Sequence, residues 1–244
     1  MESTELMHDY RQDIVQRKRE RRCWSEWDKW SILYKTLAYE LSSSGDVESY
    51  VYVREKAFEK YEDYLECVGK DFTADIMNGW WYCFKTIFNI ESSRRSEETR
   101  NLLKEILRKI KDCQDDEAVK KVLREENMID VSISDDVIDS FFDFLKVVYT
   151  VGNITPVPQG GNVHGDALDS WEYKLFVSNA GRFKDNYNVI LHFEDYSDCS
   201  KWWDRIKEVK NDRNKTIGII CEYMSNRTDL IKKRGARILK IKNI

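Results

Sequence analysis

Proline is almost missing from this chain of 244 residues: there are two, Pro156 and Pro158, and both fall in the thirteen residues Gly152–His164 (GNITPVPQGGNVH). Its absence elsewhere leaves the rest of the chain free to form helix, because proline is the strongest helix breaker. Glycine is also scarce, and three of the ten lie in that same segment, with Gly165 directly after it. The three histidines, His8, His164 and His192, are too few for a metal enzyme built on several imidazoles, although carboxylates could still hold magnesium or manganese. The six cysteines form no C-x-x-C pair, which argues against a structural zinc site and a compact disulfide framework and fits reduced thiols in a cytoplasm. No uncharged apolar run approaches the roughly 20 residues of a membrane span, and no signal-peptide h-region opens the chain. A cytoplasmic protein without a membrane partner is the expectation. The phosphate-loop patterns G-x-x-x-x-G-K-[ST] and G-x-G-x-x-G and the nucleophile pattern G-x-S-x-G do not occur.

Aromatics and charge are abundant. Charged residues make up 34% of the chain, a level that suggests disorder when large apolar side chains are few, but eight Trp, thirteen Tyr and ten Phe supply the buried area of a folded protein. Basic and acidic residues number 40 and 44, so the net charge of -4 gives no overall attraction to nucleic acid or acidic membrane.

Apolar residues recur at helical spacing through the first 150 residues. Trp27, Trp30, Tyr34, Leu37 and Leu41 form one stripe within 4–42; Phe58, Tyr61, Leu65 and Val68 form another within 47–68. A helix over 72–90 carries Ile76, Trp80, Phe84 and Phe88, widened by Trp81 and Cys83, and is expected to be central. A single helix is predicted over 96–126, capped by Ser96 with Glu98 in its first turn and with Leu103, Ile106, Leu107 and Ile110 inward. Ser132-x-x-Asp135 resembles a capping box opening a helix through Val137, Phe141, Leu145 and Val148. Beyond the Gly/Pro segment, 171–177 and 188–194 read as short strands, 198–210 as helix, and 225–240 as a terminal helix capped by Ser225 or Asn226. The fold class is therefore mainly α, an aromatic-rich helical core with a small β element after residue 170. The organisation is a helical region over 1–150 and a loop with a mixed α/β region over 151–244, with no linker to separate them freely.

Two groups of residues are candidates for function. The first is the loop surface of Asn153, Thr155, Asn162, His164, Asp166 and Asp169. A histidine beside asparagine and aspartate can act as general base or ligate a metal, while the structural alternative has the asparagines bonding their own backbone in Asx turns. Each proline ring holds its own residue and the one before it in extended geometry. The second group is basic: Arg17, Lys18, Arg19, Arg21 and Arg22 beside Cys23-Trp24, and Lys232, Lys233, Arg234 and Arg237 near the C-terminus. Basic residues interleaved with aromatics can bind single-stranded nucleic acid, although a charge run is also the ordinary solvated face of a helix.

Val151-Gly-Asn153-Ile-Thr-Pro-Val-Pro158, then Asn162, then Asp169-x-Trp171-x-x-x-Leu175 resembles the G-N-x-x-P-V-P, N, [DY]-x-W-x-x-x-L pattern of an uncharacterised group of bacterial proteins. Leu230-Ile-x-x-Arg234-Gly235 is similar to their closing I-x-x-R-G segment. A more distant similarity is to the HNH-like tail of Gmr-type modification-dependent nucleases, whose catalytic histidine precedes the G-N motif; residues 136–152 here contain no histidine.

Taken together, the residues specify no complete catalytic set, cofactor site or metal site. The reading is a non-enzymatic binding protein of a bacterium or its mobile elements, acting through protein–protein contacts, with a nucleic-acid-binding protein or divergent metal-dependent nuclease as the alternative. Oligomeric state is left open.

Overall fold

A computed structural model describes residues 78–94, 96–148, 150–158, 199–209 and 212–240, the strand 72–76, and the single residues Leu37 and Leu168. Among these the order is β1 (Phe72–Ile76), α1 (Trp81–Ile87), α2 (Glu97–Ile110), α3 (Asp116–Glu125), α4 (Asp135–Val148), a 3-10 turn (Val151–Asn153), β2 (Ile154–Pro158), α5 (Cys199–Glu208) and α6 (Arg213–Lys240). The fold is mainly α, as the helical spacing predicts. The strands expected at 171–177 and 188–194, and the helices expected over 4–42 and 47–68 apart from Leu37, lie outside the described residues.

Helix boundaries follow local hydrogen-bonding chemistry more closely than apolar period. Ser96 does cap α2: its Oγ accepts from the Thr99 N–H at 3.1 Å, and Glu97 and Glu98 complement the helix dipole. The helix expected over 96–126 is two helices, because Asp115 accepts from the Ala118 N–H at 2.8 Å and restarts the chain as α3. The apolar stripe continues across the break through Val119 and Leu123, which is why periodicity alone runs the two together. Ser132 is not a helix cap either. Its N–H donates to Asp130 Oδ1 at 2.8 Å in the turn before α4, which starts at Asp135. The last helix begins at Arg213, where Asp212 accepts from the Lys215 N–H at 3.0 Å, so Ser225 and Asn226 lie inside it rather than at its start.

Two helices stop on asparagine in the left-handed region. Asn89, at φ 52°, ends α1, with Ile90 N–H donating to Lys85 O at 2.7 Å. Asn127, at φ 53°, ends α3, with Met128 N–H donating to Leu123 O at 2.9 Å and Asn127 N–H to Arg124 O at 3.0 Å. Both are Schellman closures in which asparagine fills the place glycine usually takes.

Phe72–Ile76 is strand and not the first turn of a helix, which corrects the 72–90 reading. It pairs antiparallel with Ile154–Pro158 in the register Ala74↔Pro156 and Asp75↔Thr155. Both prolines fall on the same parity of this register, so the pairs left to exchange hydrogen bonds are Asp75–Thr155 and Thr73–Val157, and the two missing N–H groups lie on the far edge of β2. The extended geometry imposed by the prolines is thus used in a ladder.

The core is aromatic. Phe84 lies 5.3 Å from Trp80, 4.4 Å from Phe88 and 6.3 Å from Phe141, and Phe144 meets Tyr223 of α6 edge-on at 5.8 Å. Each such ring contributes roughly 1.5–3 kcal/mol by burial. Among the described helices the most enclosed is α4, with eight of its fourteen residues buried; it, and not α1, is central, and α6 packs along it. Leu37, Ile206, Ile220 and Ile231 join the same cluster, so the core draws on both sides of residue 150. The ion pairs Lys120–Asp139 and Lys146–Asp116, both at 2.8 Å, tie α3 to α4. Among the described residues no helix is long and apolar enough to cross a membrane.

The left-handed closure of α3 yields a graded expectation. Asn127→Gly should leave stability unchanged or raise it slightly, whereas Asn127→Val should cost on the order of 1–2 kcal/mol, because a β-branched residue resists positive φ. Urea unfolding of the two variants checks this, and equal midpoints would show that the closure does not depend on the residue.

Candidate functional site

The loop expected to be a surface begins as an anchor. Asn153 is fully buried, which corrects its assignment to the loop surface. Its Oδ1 accepts from the Asn78 N–H at 2.9 Å and from Asn78 Nδ2 at 3.0 Å; its Nδ2 donates to Asn78 O at 2.9 Å and to Val148 O at 2.8 Å. One amide therefore satisfies both backbone groups of Asn78 and one of the carbonyls that the end of α4 leaves open. Reversing the amide would set its oxygen against two carbonyl oxygens, so the partners fix its orientation. Tyr223 Oη donates to Asn78 Oδ1 at 3.3 Å, extending the network to α6.

Gly152 serves the same junction by having no side chain. A Cβ there would stand 2.0 Å from Ile231 O and 2.7 Å from Gly235 N, so the 3-10 turn rests directly on the α6 backbone. The two segments singled out as motifs, Gly152-Asn153 and Ile231-x-x-Arg234-Gly235, thus meet in space as a packing joint. Arg234 is buried at 2% exposure, and this removes it from the basic surface proposed for nucleic acid. Lys232 and Lys233 are exposed. For Thr155 and Arg237 only the backbone is described; Asn162, His164, Asp166, Asp169, Arg17, Lys18, Arg19, Arg21 and Arg22 lie outside the described residues.

A different group of side chains forms a concave site at the meeting of α1, α5 and the first turn of α6. The cleft encloses about 410 Å³ and is lined by Tyr82, Lys85, Asn89 and Ile90, by Trp203, Ile206 and Lys207, and by Arg213. Its construction is helical geometry applied twice. Side chains lean toward the N-terminus of their helix, so a lysine three or four residues after an aromatic reaches back over the ring. On α1, Lys85 Nζ sits 5.4 Å from the Tyr82 centroid; on α5, Lys207 Nζ sits 5.8 Å from the Trp203 centroid. The two rings meet edge to face at 5.7 Å and close the wall between the helices. Ile90 and Ile206, exposed by 8% and 2%, supply the apolar bottom.

Arg213 forms the third side. Its Nη1 pairs with Asp130 Oδ2 at 3.0 Å and its Nη2 donates to Thr86 O at 3.5 Å, so the guanidinium joins α6, the turn before α4, and α1. The Ser132 backbone N–H, then its side chain and Arg213, hold the Asp130 carboxyl below its ordinary value of 3.8. This contribution is present above that value and is lost as pH falls through the lower folded one. Burial, with a smaller effect from Cys83, pushes the Tyr82 phenol above its ordinary value. The cleft thus brings lysine and arginine cations and two aromatic rings together over an apolar bottom.

None of these residues stood out in the sequence. Tyr82-x-x-Lys85 and Trp203-x-x-x-Lys207 were visible spacings, but aromatic residues on helical stripes read first as core. Among the described residues no cluster of three His, Cys, Asp or Glu is gathered as metal ligands. No protein-family model matches the chain, and no curated protein or solved structure matches it.

The joint gives two expectations for urea unfolding. Asn153→Ala strands buried groups on Asn78 and Val148 and should cost about 3 kcal/mol. Gly152→Ala forces α6 off the turn and should cost a similar amount, on the order of 3 kcal/mol, by overpacking against backbone that cannot rotate away. A loss below about 0.5 kcal/mol in either variant would mean that the joint gives way without resistance.

Proposed function

We propose that this is a non-enzymatic binding protein that acts through contacts with another protein, and that the cleft of α1, α5 and α6 is where it meets its partner. The observation that carries the reading is the combination at one mouth of an apolar bottom, Ile90 and Ile206, with two aromatic walls and a cationic rim of Lys85, Lys207 and Arg213. Protein interfaces are built this way, with a desolvated apolar centre rich in aromatics and arginine inside a polar rim. The resemblance of the C-terminal region to bacterial proteins belongs to the same reading. The packing of Gly152 on Ile231 and Gly235 supplies a physical reason for those segments to occur together.

The nucleic-acid alternative draws less support from the cleft. Lys232 and Lys233 lie nineteen and twenty positions beyond Arg213 on α6, about 28–30 Å along its axis at 1.5 Å per residue. The C-terminal basic cluster and the cleft therefore do not form one short site.

The test compares tagged wild type with the double variant Lys85→Glu/Lys207→Glu, both checked for equal helicity and thermal midpoint, after cross-linking in the cells that make the protein. A partner held by wild type and lost from the variant is expected. Identical capture by both, or cleavage of DNA or RNA by the wild type with magnesium or manganese, would overturn the proposal.

A further inference from the structure

Resting on that reading, we infer that the cleft takes an acidic segment of its partner: one apolar side chain on the Ile90–Ile206 bottom, with carboxylates on either side of it at Lys85 and Lys207. The charge arrangement selects this chemistry. Lys85 has no carboxylate partner among the described residues; its ammonium has only the Tyr82 ring beneath it. Lys207 is paired with Asp204 at 2.9 Å, on its own helix and exposed. A partner carboxylate can take the place of Asp204 like for like, since an exposed pair of this kind is held by little energy. The two lysines stand on different helices, α1 and α5, each over its own ring of the Tyr82–Trp203 pair. They can therefore grip a segment at two points while its middle residue enters the cleft.

Phosphate chemistry fits the same place less well. Phosphate is recognised by the bidentate guanidinium fork or by free backbone N–H groups at a helix start. Here Arg213 Nη1 already pairs with Asp130 and Nη2 with Thr86 O, and the Lys215 N–H at the start of α6 is taken by Asp212. Asp130 and Asp204, the partners of Arg213 and Lys207, would also repel a continuous polyphosphate, whereas a peptide can place its few carboxylates only where the lysines are. The volume, about 410 Å³, is that of a site for one or two side chains and not for a folded element.

The experiment uses the full chain and fluorescein-labelled short peptides, followed by anisotropy at low salt. One peptide carries a central leucine flanked by aspartate and glutamate; in the second, lysines replace the acids; in the third, serine replaces the leucine; an oligothymidylate of similar length is the fourth probe. The acidic leucine peptide is expected to bind, the lysine peptide not at all, and the serine peptide and the oligonucleotide more weakly. Lys85→Glu/Lys207→Glu should lower affinity for the acidic peptide about tenfold or more, and Lys207→Gln should lower it less, with both variants keeping the wild-type thermal midpoint. Equal binding by wild type and the double variant overturns the inference, as does preference for the oligonucleotide. If no peptide binds while cells still show capture that depends on Lys85 and Lys207, the acidic segment is wrong and the cleft reading stands. If capture also ignores those lysines, both fall.

Discussion

The side-chain amide of Asn153 is the interaction on which the described architecture turns. In one dry position it closes both backbone groups of Asn78 and a carbonyl at the end of α4. Each of those groups would cost about 1–3 kcal/mol if left unpaired away from water. Because Asn78 lies between β1 and α1, and Asn153 between α4 and β2, the same amide sets where the two strands begin to pair and how α1 approaches the central helix. Gly152 then brings α6 down onto the turn until backbone touches backbone. The β ladder, α4 and α6 are therefore positioned from two adjacent residues.

From that joint outward, the core fixes what the cleft can be. Phe84, Phe88 and Phe141 pack α1 against α4, and Phe144 with Tyr223 packs α4 against α6. Once α1 and α6 are placed, Tyr82 on α1 faces α5, which meets it with Trp203. Arg213 locks the corner by reaching both Thr86 and Asp130. The cleft is thus a product of helix packing, lined by rings, cations and apolar side chains together. Two of its cations, Lys85 and Lys207, lie over the Tyr82 and Trp203 rings.

Legibility in the sequence divides along the same line. The stripes Trp80–Phe84–Phe88, Leu103–Ile106–Ile110 and Val137–Phe141–Leu145–Val148 are buried as their spacing requires. Ser96 caps as its position suggests, and Asn153 bonds the end of the preceding helix as an asparagine there can. Where the reading failed, a competing local interaction was stronger than the apolar period: Asp115 breaking one helix into two, Asp130 drawing Ser132 into a turn, and Asp212 starting α6 twelve residues early relative to the 225–240 reading. Phe72–Ile76 became strand because its partner, Ile154–Pro158, is about 80 residues away, beyond the reach of any window along the chain.

By itself the sequence determined that the chain is mainly helical, which faces of its helices turn inward, and that the segment from Gly152 to Pro158 has a backbone unlike the rest. Those properties depend on residues within a turn or two of each other: apolar period, caps, and the fixed φ of proline. Only the tertiary structure decided that Asn153 is an anchor and not a surface, that Arg234 is buried, and that Tyr82, Lys85, Trp203, Lys207 and Arg213 share one cleft. These are relations between residues separated by 75 to 127 positions or more, and they exist only once α4 and α6 have packed. A stripe of rings and lysines on an isolated helix has the same pattern whether it faces a core or a partner. The neighbour that the fold supplies makes the difference.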